Sequence, residues 1–353
     1  MCVRKGELMR LREMRLNTLI SIVLLIVVIL VVASIGNVTV PIGEFFVIIM
    51  SKIPGLELLI DKSAIIPSHE TIILNLRLPR IILSMFAGFG LAYSGVVYQG
   101  VFRNPMAEPY LLGVSSGAAL GATIASIFPI SIRMFGFSYV SMLAFLGAIT
   151  VLYVIFMITK SRDTKSMNVL LLAGLAINYF VSSIISLFMM FNQDNIANIF
   201  FWTMGSFKTA TYEKILVVAI VVIVTIVFTY PMHRNLDIML LGDEQALSLG
   251  VEVAVIKKRL LIATSLMAAV IVASCGIIGF VGLIIPHLVR LIVGPSHKKL
   301  LIHSTLIGGI FLILSDTMAR SLLDNKEISV GIITAIFGVP FFIWMLLKYR
   351  QKV

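Results

Sequence analysis

The sequence predicts an all-α polytopic membrane protein with about ten transmembrane helices in one domain, residues 1–353. Three observations predict it. Hydrophobic residues are 59% of the chain and charged residues 13%, against roughly 45–50% and about 25% in soluble domains. The apolar residues fall in runs close to the ~20 that a spanning helix needs. The basic residues sit asymmetrically between those runs. Too little polar side chain exists to cover a water-facing surface, which excludes a soluble enzyme, a disordered chain and a disulfide scaffold. Cys2 and Cys275 are far apart and form no CxxC, so neither a disulfide framework nor a metal site follows.

The elements follow in order. Residues 1–16 form a basic N-terminus with Arg4, Lys5, Arg10, Arg12 and Arg15. Spans are predicted at 17–36, 72–95, 112–128, 138–159, 167–191, 212–231, 260–277, 279–294, 300–319 and 331–347. The first is too long for a signal-peptide core and lacks a clear small-residue cleavage site, so it reads as a retained span. Residues 38–68 form the longest outer loop, with a short interfacial helix over Phe45–Ile53. The second span begins beside Arg77, Leu78, Pro79 and Arg80. In the third, Gly113, Gly117 and Gly121 recur every four residues and make a flat stripe for close helix packing or for lining a pathway. In the fifth, Asn178, Ser182 and Ser186 share one face. That face reads as a pathway wall or as hydroxyls bonded back to their own helix.

Residues 232–258 form the longest inner loop and read as helix, turn, helix. Leu236–Leu241 precede Gly242, and Asp243–Leu249 precede Gly250. Asp243 and Glu244 suit a first helical turn, and Gly250 suits a C′ position. The seventh and eighth spans are separated only by Gly276, Gly279 and Gly282. Arg320 ends the ninth span four residues after Asp316, a spacing for an i, i+4 ion pair or, with Arg77 and Arg80, for a cationic rim that meets an acidic partner.

With the N-terminus inside, the inner segments hold 19 of the 28 basic residues, as the positive-inside rule requires. The whole net charge of +11 falls on the inner side, and the outer side is neutral. The excess is therefore a topology signal and not a nucleic-acid signal. No G-x-x-x-x-G-K-[ST] or H-E-x-x-H is present. His69, His233, His287, His297 and His303 are scattered. Asn37-Val38-Thr39 fits a glycosylation sequon. No paired carboxylates lie mid-span, which weighs against the alternative class, an ion-coupled secondary transporter. An intramembrane enzyme also fits the composition. A neighbouring P-loop ATPase gene, or a co-purifying ATPase, separates these classes.

Several ordered segments carry a resemblance. They are Arg77–Arg80 (RLPR), Ser94–Gln99 (SGVVYQ), Arg103–Pro109 (RNPMAEP), Leu112–Ala118 (LGVSSGA), Trp202–Phe207 (WTMGSF) and Leu247–Gly250 (LSLG). The last third adds Gly279–Arg290 (GFVGLIIPHLVR), Ser315–Arg320 (SDTMAR), Glu327–Gly331 (EISVG) and Gly338–Phe342 (GVPFF). Over nearly its whole length the chain resembles FecCD/BtuC-type permease subunits of ABC importers, which carry iron–siderophore complexes, haem or vitamin B12.

The resemblance implies the type II importer architecture: ten spans per subunit, a homodimer with its pathway on the dimer axis, and a place in the cytoplasmic membrane with both termini cytoplasmic. It implies a transport subunit and not an enzyme. The chain would bind no cofactor, metal or nucleic acid, and ATP and Mg would sit on two partner ATPase subunits. By similarity, Arg77, Arg80 and Arg320 receive glutamates of an extracytoplasmic substrate-binding protein. Leu240, Leu241, Gly242, Asp243, Glu244, Leu247, Leu249 and Gly250 match the coupling helices that dock on the ATPase. Asn104 and Met106 match the inner gate, and Asn178, Ser182 and Ser186 fit the cavity wall. Glu327-Ile328-Ser329 replaces the usual Glu-Leu-Pro, and Met106 replaces a common leucine.

Overall fold

The structure is a computed structural model that describes residues 2–36, 38–52, 55, 66–159, 166–323 and 326–350. Asn37 of the sequon, and Ile53 at the end of the predicted interfacial helix, lie outside these. The chain forms α1 (Cys2–Ser34), α2 (Ile42–Met50) and α3 (Pro67–Phe102). A 3-10 turn (Pro109–Leu112) leads into α4 (Val114–Ile127). A small hairpin, β1 (Arg133–Met134) and β2 (Phe137–Ser138), precedes α5 (Tyr139–Ile158). Then come α6 (Ser166–Phe191), α7 (Ile196–Thr203) and α8 (Tyr212–Thr229). The last third holds α9 (His233–Met239), α10 (Asp243–Ser248), α11 (Val253–Cys275), α12 (Val281–Val293), α13 (His297–Ser321) and α14 (Val330–Arg350).

Each predicted span coincides with a helix. Six helices are long and apolar enough to cross a membrane by length and composition. The segments Val114–Ile127, Val281–Val293 and Val330–Met345 are apolar but shorter. The second span starts earlier than its hydropathy suggests. Pro67 occupies a first-turn position, where its missing N–H costs nothing, and the helix reaches the apolar run through a π-helical stretch at Ile72–Arg77. Arg77 and Arg80 therefore lie inside α3 and not at its outer end. The short helix expected in the 38–68 segment is α2, which buries Phe45 and Ile48 with Leu25, Val32, Ile73 and Ile313.

α3 runs through the centre of the bundle. It packs most extensively on α13 and also touches α8, α11 and α12. Glycines set these distances. A Cβ on Gly95 would lie 1.9 Å from the Gly282 carbonyl oxygen, and one on Gly88 would lie 2.2 Å from that of Gly308. In lipid, such close backbone approach replaces the missing hydrophobic drive with dispersion. Several polar side chains inside the bundle are paired across helices. Tyr93 Oη and Thr229 Oγ1 are 2.8 Å apart. Gln99 Nε2 donates to the Gly282 and Leu283 carbonyls, both at 3.3 Å, while Gln99 Oε1 accepts from Arg290 at 3.0 Å.

The break between α11 and α12 is where the glycines predict it. Gly276 (φ +74°) ends α11, and a Cβ there would meet the Trp202 carbonyl at 2.3 Å. Phe280 is left-handed (φ +69°) at the start of α12. Residues 276–280 are irregular, and neighbours satisfy their flanking carbonyls. Ser206 N–H donates to Cys275 O at 2.7 Å, and Tyr110 Oη donates to Ile278 O at 2.7 Å.

Candidate functional site

Most of the predicted functional residues fall at the two ends of the bundle and in a turn near one of them, and the others lie along α4 and α6. At one end, α9 and α10 make the predicted helix–turn–helix. Gly242 (φ +120°) and Gly250 (φ +83°) take the backbone conformations that side-chain-bearing residues resist. Leu236, Met239 and Ala246 are buried and anchor the loop. Its other leucines face out: Leu240 is 46% exposed, Leu241 62%, Leu247 53% and Leu249 62%. These four leucines stand exposed on a loop that lies outside the predicted spans.

Polar contacts fix this loop to the bundle. Asp243 Oδ1 accepts from Arg103 Nη2 at 2.8 Å, and its Oδ2 accepts from Lys257 Nζ at 2.7 Å. One carboxylate thus joins α10 to the end of α3 and to α11. Asp237 Oδ1 accepts from the backbone N–H of His297 at 2.9 Å and pairs with the His297 Nδ1 at 2.6 Å, which caps the otherwise uncapped start of α13. Sequence assigns Arg103, Lys257, Asp237 and His297 no part in anchoring this loop. The one signal available was an acid in the loop facing basic residues at the neighbouring helix ends.

The turn after α3 holds the predicted gate residues. Arg103 is left-handed (φ +50°) and ends the helix. Asn104 N–H donates to Gln99 O at 3.2 Å, and Asn104 Oδ1 accepts from Met106 N–H at 2.9 Å. Asn104 therefore shapes the turn through its own amide, and Met106 is half-buried beside it. The predicted polar face of α6 divides. Asn178 Oδ1 accepts from Ser116 Oγ at 2.5 Å, against α4. Ser182 and Ser186 are exposed, and Ser186 Oγ bonds back to Ser182 O at 3.0 Å. Gly113 (φ +74°) makes the turn into α4. Gly117 and Gly121 pack on α5, where added Cβ atoms would lie 2.5 Å from Gly147 O and 1.9 Å from Leu143 O.

At the opposite end the three arginines do not form an exposed rim. Arg77 and Arg320 are 5% and 8% exposed. Arg77 Nη1 donates to Ala33 O at 2.9 Å, and its Nη2 donates to Val38 O. Arg320 Nη2 donates to Val32 O at 3.0 Å. Two guanidiniums thus cap the C-terminal carbonyls of α1, where the helix dipole also favours cations. Asp316 does not pair with Arg320 as the i, i+4 spacing suggests. It takes Arg80 in a fork, Nη2–Oδ1 2.9 Å and Nε–Oδ2 3.3 Å, and Arg80 Nη1 reaches Glu327 Oε1 at 3.0 Å. Sequence reasoning missed this because the partners are 236 residues apart. Arg80→Ala strands a buried carboxylate and is expected to cost about 3 kcal/mol. The double change Arg80→Met, Asp316→Leu is expected to restore most of that loss, and thermal unfolding in detergent measures both. Equal melting of the single and double variants would argue against the pairing.

Among the described residues no group of three or more His, Cys, Asp or Glu could hold a metal ion.

Comparison with known proteins gives one answer. The model of the FecCD transport family matches residues 24–348. The hemin transport system permease HmuU of Yersinia pestis is 38% identical over 281 residues, 79% of this chain and 84% of that protein. The cobalamin import permease BtuC of Halobacterium salinarum is 40% identical over 277 residues, 78% of this chain and 73% of that protein. A solved ABC transporter assigned to the metal-chelate type, in an inward-facing conformation, superposes with TM-score 0.80 at 31% identity, covering 94% of this chain and 99% of that one. A helical bundle with an anchored, leucine-studded loop, matched over this length, is a multi-pass membrane permease, and the chain belongs to the FecCD transport family.

Proposed function

We propose that this permease imports a metal chelate across the cytoplasmic membrane, with an iron–siderophore complex as the leading cargo. It works as a homodimer with two ATPase subunits that hold ATP and Mg, fed by an extracytoplasmic substrate-binding protein. Both termini lie in the cytoplasm, in keeping with the concentration of basic residues on that side. One observation carries the reading: Leu240, Leu241, Leu247 and Leu249 are exposed on a loop that Asp243 and Asp237 tie to α3, α11 and α13. Such a loop suits a partner outside the membrane and passes that partner's motion to three spans. ATP-driven closure of the ATPase pair would move it, and the dimer-axis pathway would alternate between outward and inward openings.

Docking of the binding protein centres on Arg80. A carboxylate from the partner competes there with Glu327, the more exposed of its two acids. Arg77 and Arg320 support this site from below by holding α1. The names of the relatives favour haem and cobalamin as second readings.

Reconstitution with the cognate ATPase and binding protein tests the proposal. ATP-dependent uptake into liposomes is expected for a ferric siderophore, with haem and cobalamin taken up poorly. Preference for haem or cobalamin would replace the cargo. Uptake driven by a proton or sodium gradient without ATP would overturn the ABC mechanism.

A further inference from the structure

The end of the bundle that carries Arg80 also contains a cavity of about 860 Å³, between the β-hairpin, the 202–211 segment, the end of α11 and residues 327–329. Its volume falls in the range of about 300–1,000 Å³ typical of small-molecule sites. Arg133 and Lys208 stand exposed at its mouth. Lys214 lines it from within and is 5% exposed. The ammonium of Lys214 has one partner among the described residues, the neutral hydroxyl Oγ1 of Thr209 at 2.9 Å. Neither Arg133, Lys208 nor Lys214 forms an ion pair among the described residues. The acid that lines the cavity, Glu327, is already paired with Arg80. A buried ammonium without a counter-charge is costly; Glu213 borders the adjoining hollow that shares Arg133, so the unmet electrostatic demand among the described residues is that of Lys214. Much of the remaining lining is Ser and Thr hydroxyl, and Trp202 supplies an apolar wall.

We propose that this cavity binds a small organic polyanion through its carboxylates, with Lys214 as the inner contact and Arg133 and Lys208 as the outer ones. Cations at two depths suit an anion with two or more separated oxyanion groups. The apolar wall and the hydroxyls suit an organic frame that carries them. Binding here requires only this chain, so it is present or absent whatever the transported cargo is.

Titration calorimetry on the purified chain in maltoside detergent, at low ionic strength, tests the site with citrate as the probe. Saturable binding is expected, weakened by added salt. Lys214→Gln is expected to weaken it by about tenfold or more, as loss of a charged hydrogen bond in a dry site does. Arg133→Gln and Lys208→Gln should each weaken it by about threefold, as exposed charges do. These two variants alter exposed side chains, so they test the site even if Lys214→Gln fails to fold. Xylitol, a neutral polyol of similar size, is expected not to compete. Absence of saturable citrate binding overturns the proposal. So does binding that all three variants leave unchanged, or binding that xylitol displaces.

Discussion

Glutamate at Leu241 and Leu249 is expected to abolish ATP-driven uptake while leaving the bundle folded. Both side chains are 62% exposed in the free chain, so the substitution removes no buried contact and opens no cavity. In a complex each leucine would be covered. Burying a leucine is worth about 2 kcal/mol, and two such losses correspond to about a thousandfold weaker association. The new carboxylates add desolvation against the partner. Co-purification of the ATPase and carrier-stimulated ATP hydrolysis are the measurements. Full recovery of ATPase with the double variant would remove the coupling role from this loop. Asp243→Ala provides a contrast. It keeps the leucines but cuts the loop from Arg103 and Lys257, so the ATPase should still bind while uptake per ATP falls.

Alanine at Gly95 is expected to be among the most destabilising single-methyl changes in the chain. Its Cβ would lie 1.9 Å from the Gly282 oxygen and 2.6 Å from the Gly282 Cα. Those atoms are backbone, and no side chain can turn aside to make room. α3 and α12 must separate, which also pulls Gln99 from the Gly282 and Leu283 carbonyls. Overpacking of this kind costs about 3 kcal/mol, before the stranded polar atoms are counted. Gly43→Ala in α2 is the control. Nothing lies within 4 Å of a Cβ there, and helix propensity predicts a gain of up to about 1 kcal/mol. Thermal unfolding in detergent compares the two. A Gly95→Ala protein that melts with the Gly43→Ala protein would mean the helices part at little cost.

Much of this was legible from sequence because the signals are local. Apolar run length located the spans, and glycines located both the break at 276–280 and the turns within the 232–258 loop. The stripe of Gly117 and Gly121 matched helix packing, one of its two readings. What sequence did not show depends on groups distant in the chain. Hydropathy placed the second span at 72 because Ser68, His69 and Glu70 are polar, although Pro67 is a good first-turn residue. The fate of the arginines was hidden for the same reason. Arg77 and Arg320 find carbonyls at the end of α1, and Arg80 finds Asp316, so charge at a helix end did not distinguish a docking group from an internal clamp. Lys214 looked like any outer basic residue, and only the packing around it shows that it is buried.

The irregular stretch at 276–280 has a mechanical consequence. With 13 residues, α12 rises about 20 Å, less than the ~30 Å of a hydrocarbon core. Part of that depth is crossed by backbone that cannot satisfy itself, and lipid offers no substitute for Tyr110 or Ser206 as donors. The stretch can shift only if those donors travel with it. Tyr110 follows the turn that begins at Arg103, and Arg103 is held by Asp243. A pull on the leucine-bearing loop would pass from Asp243 through Arg103 and the turn that follows it to Tyr110 and the Ile278 carbonyl.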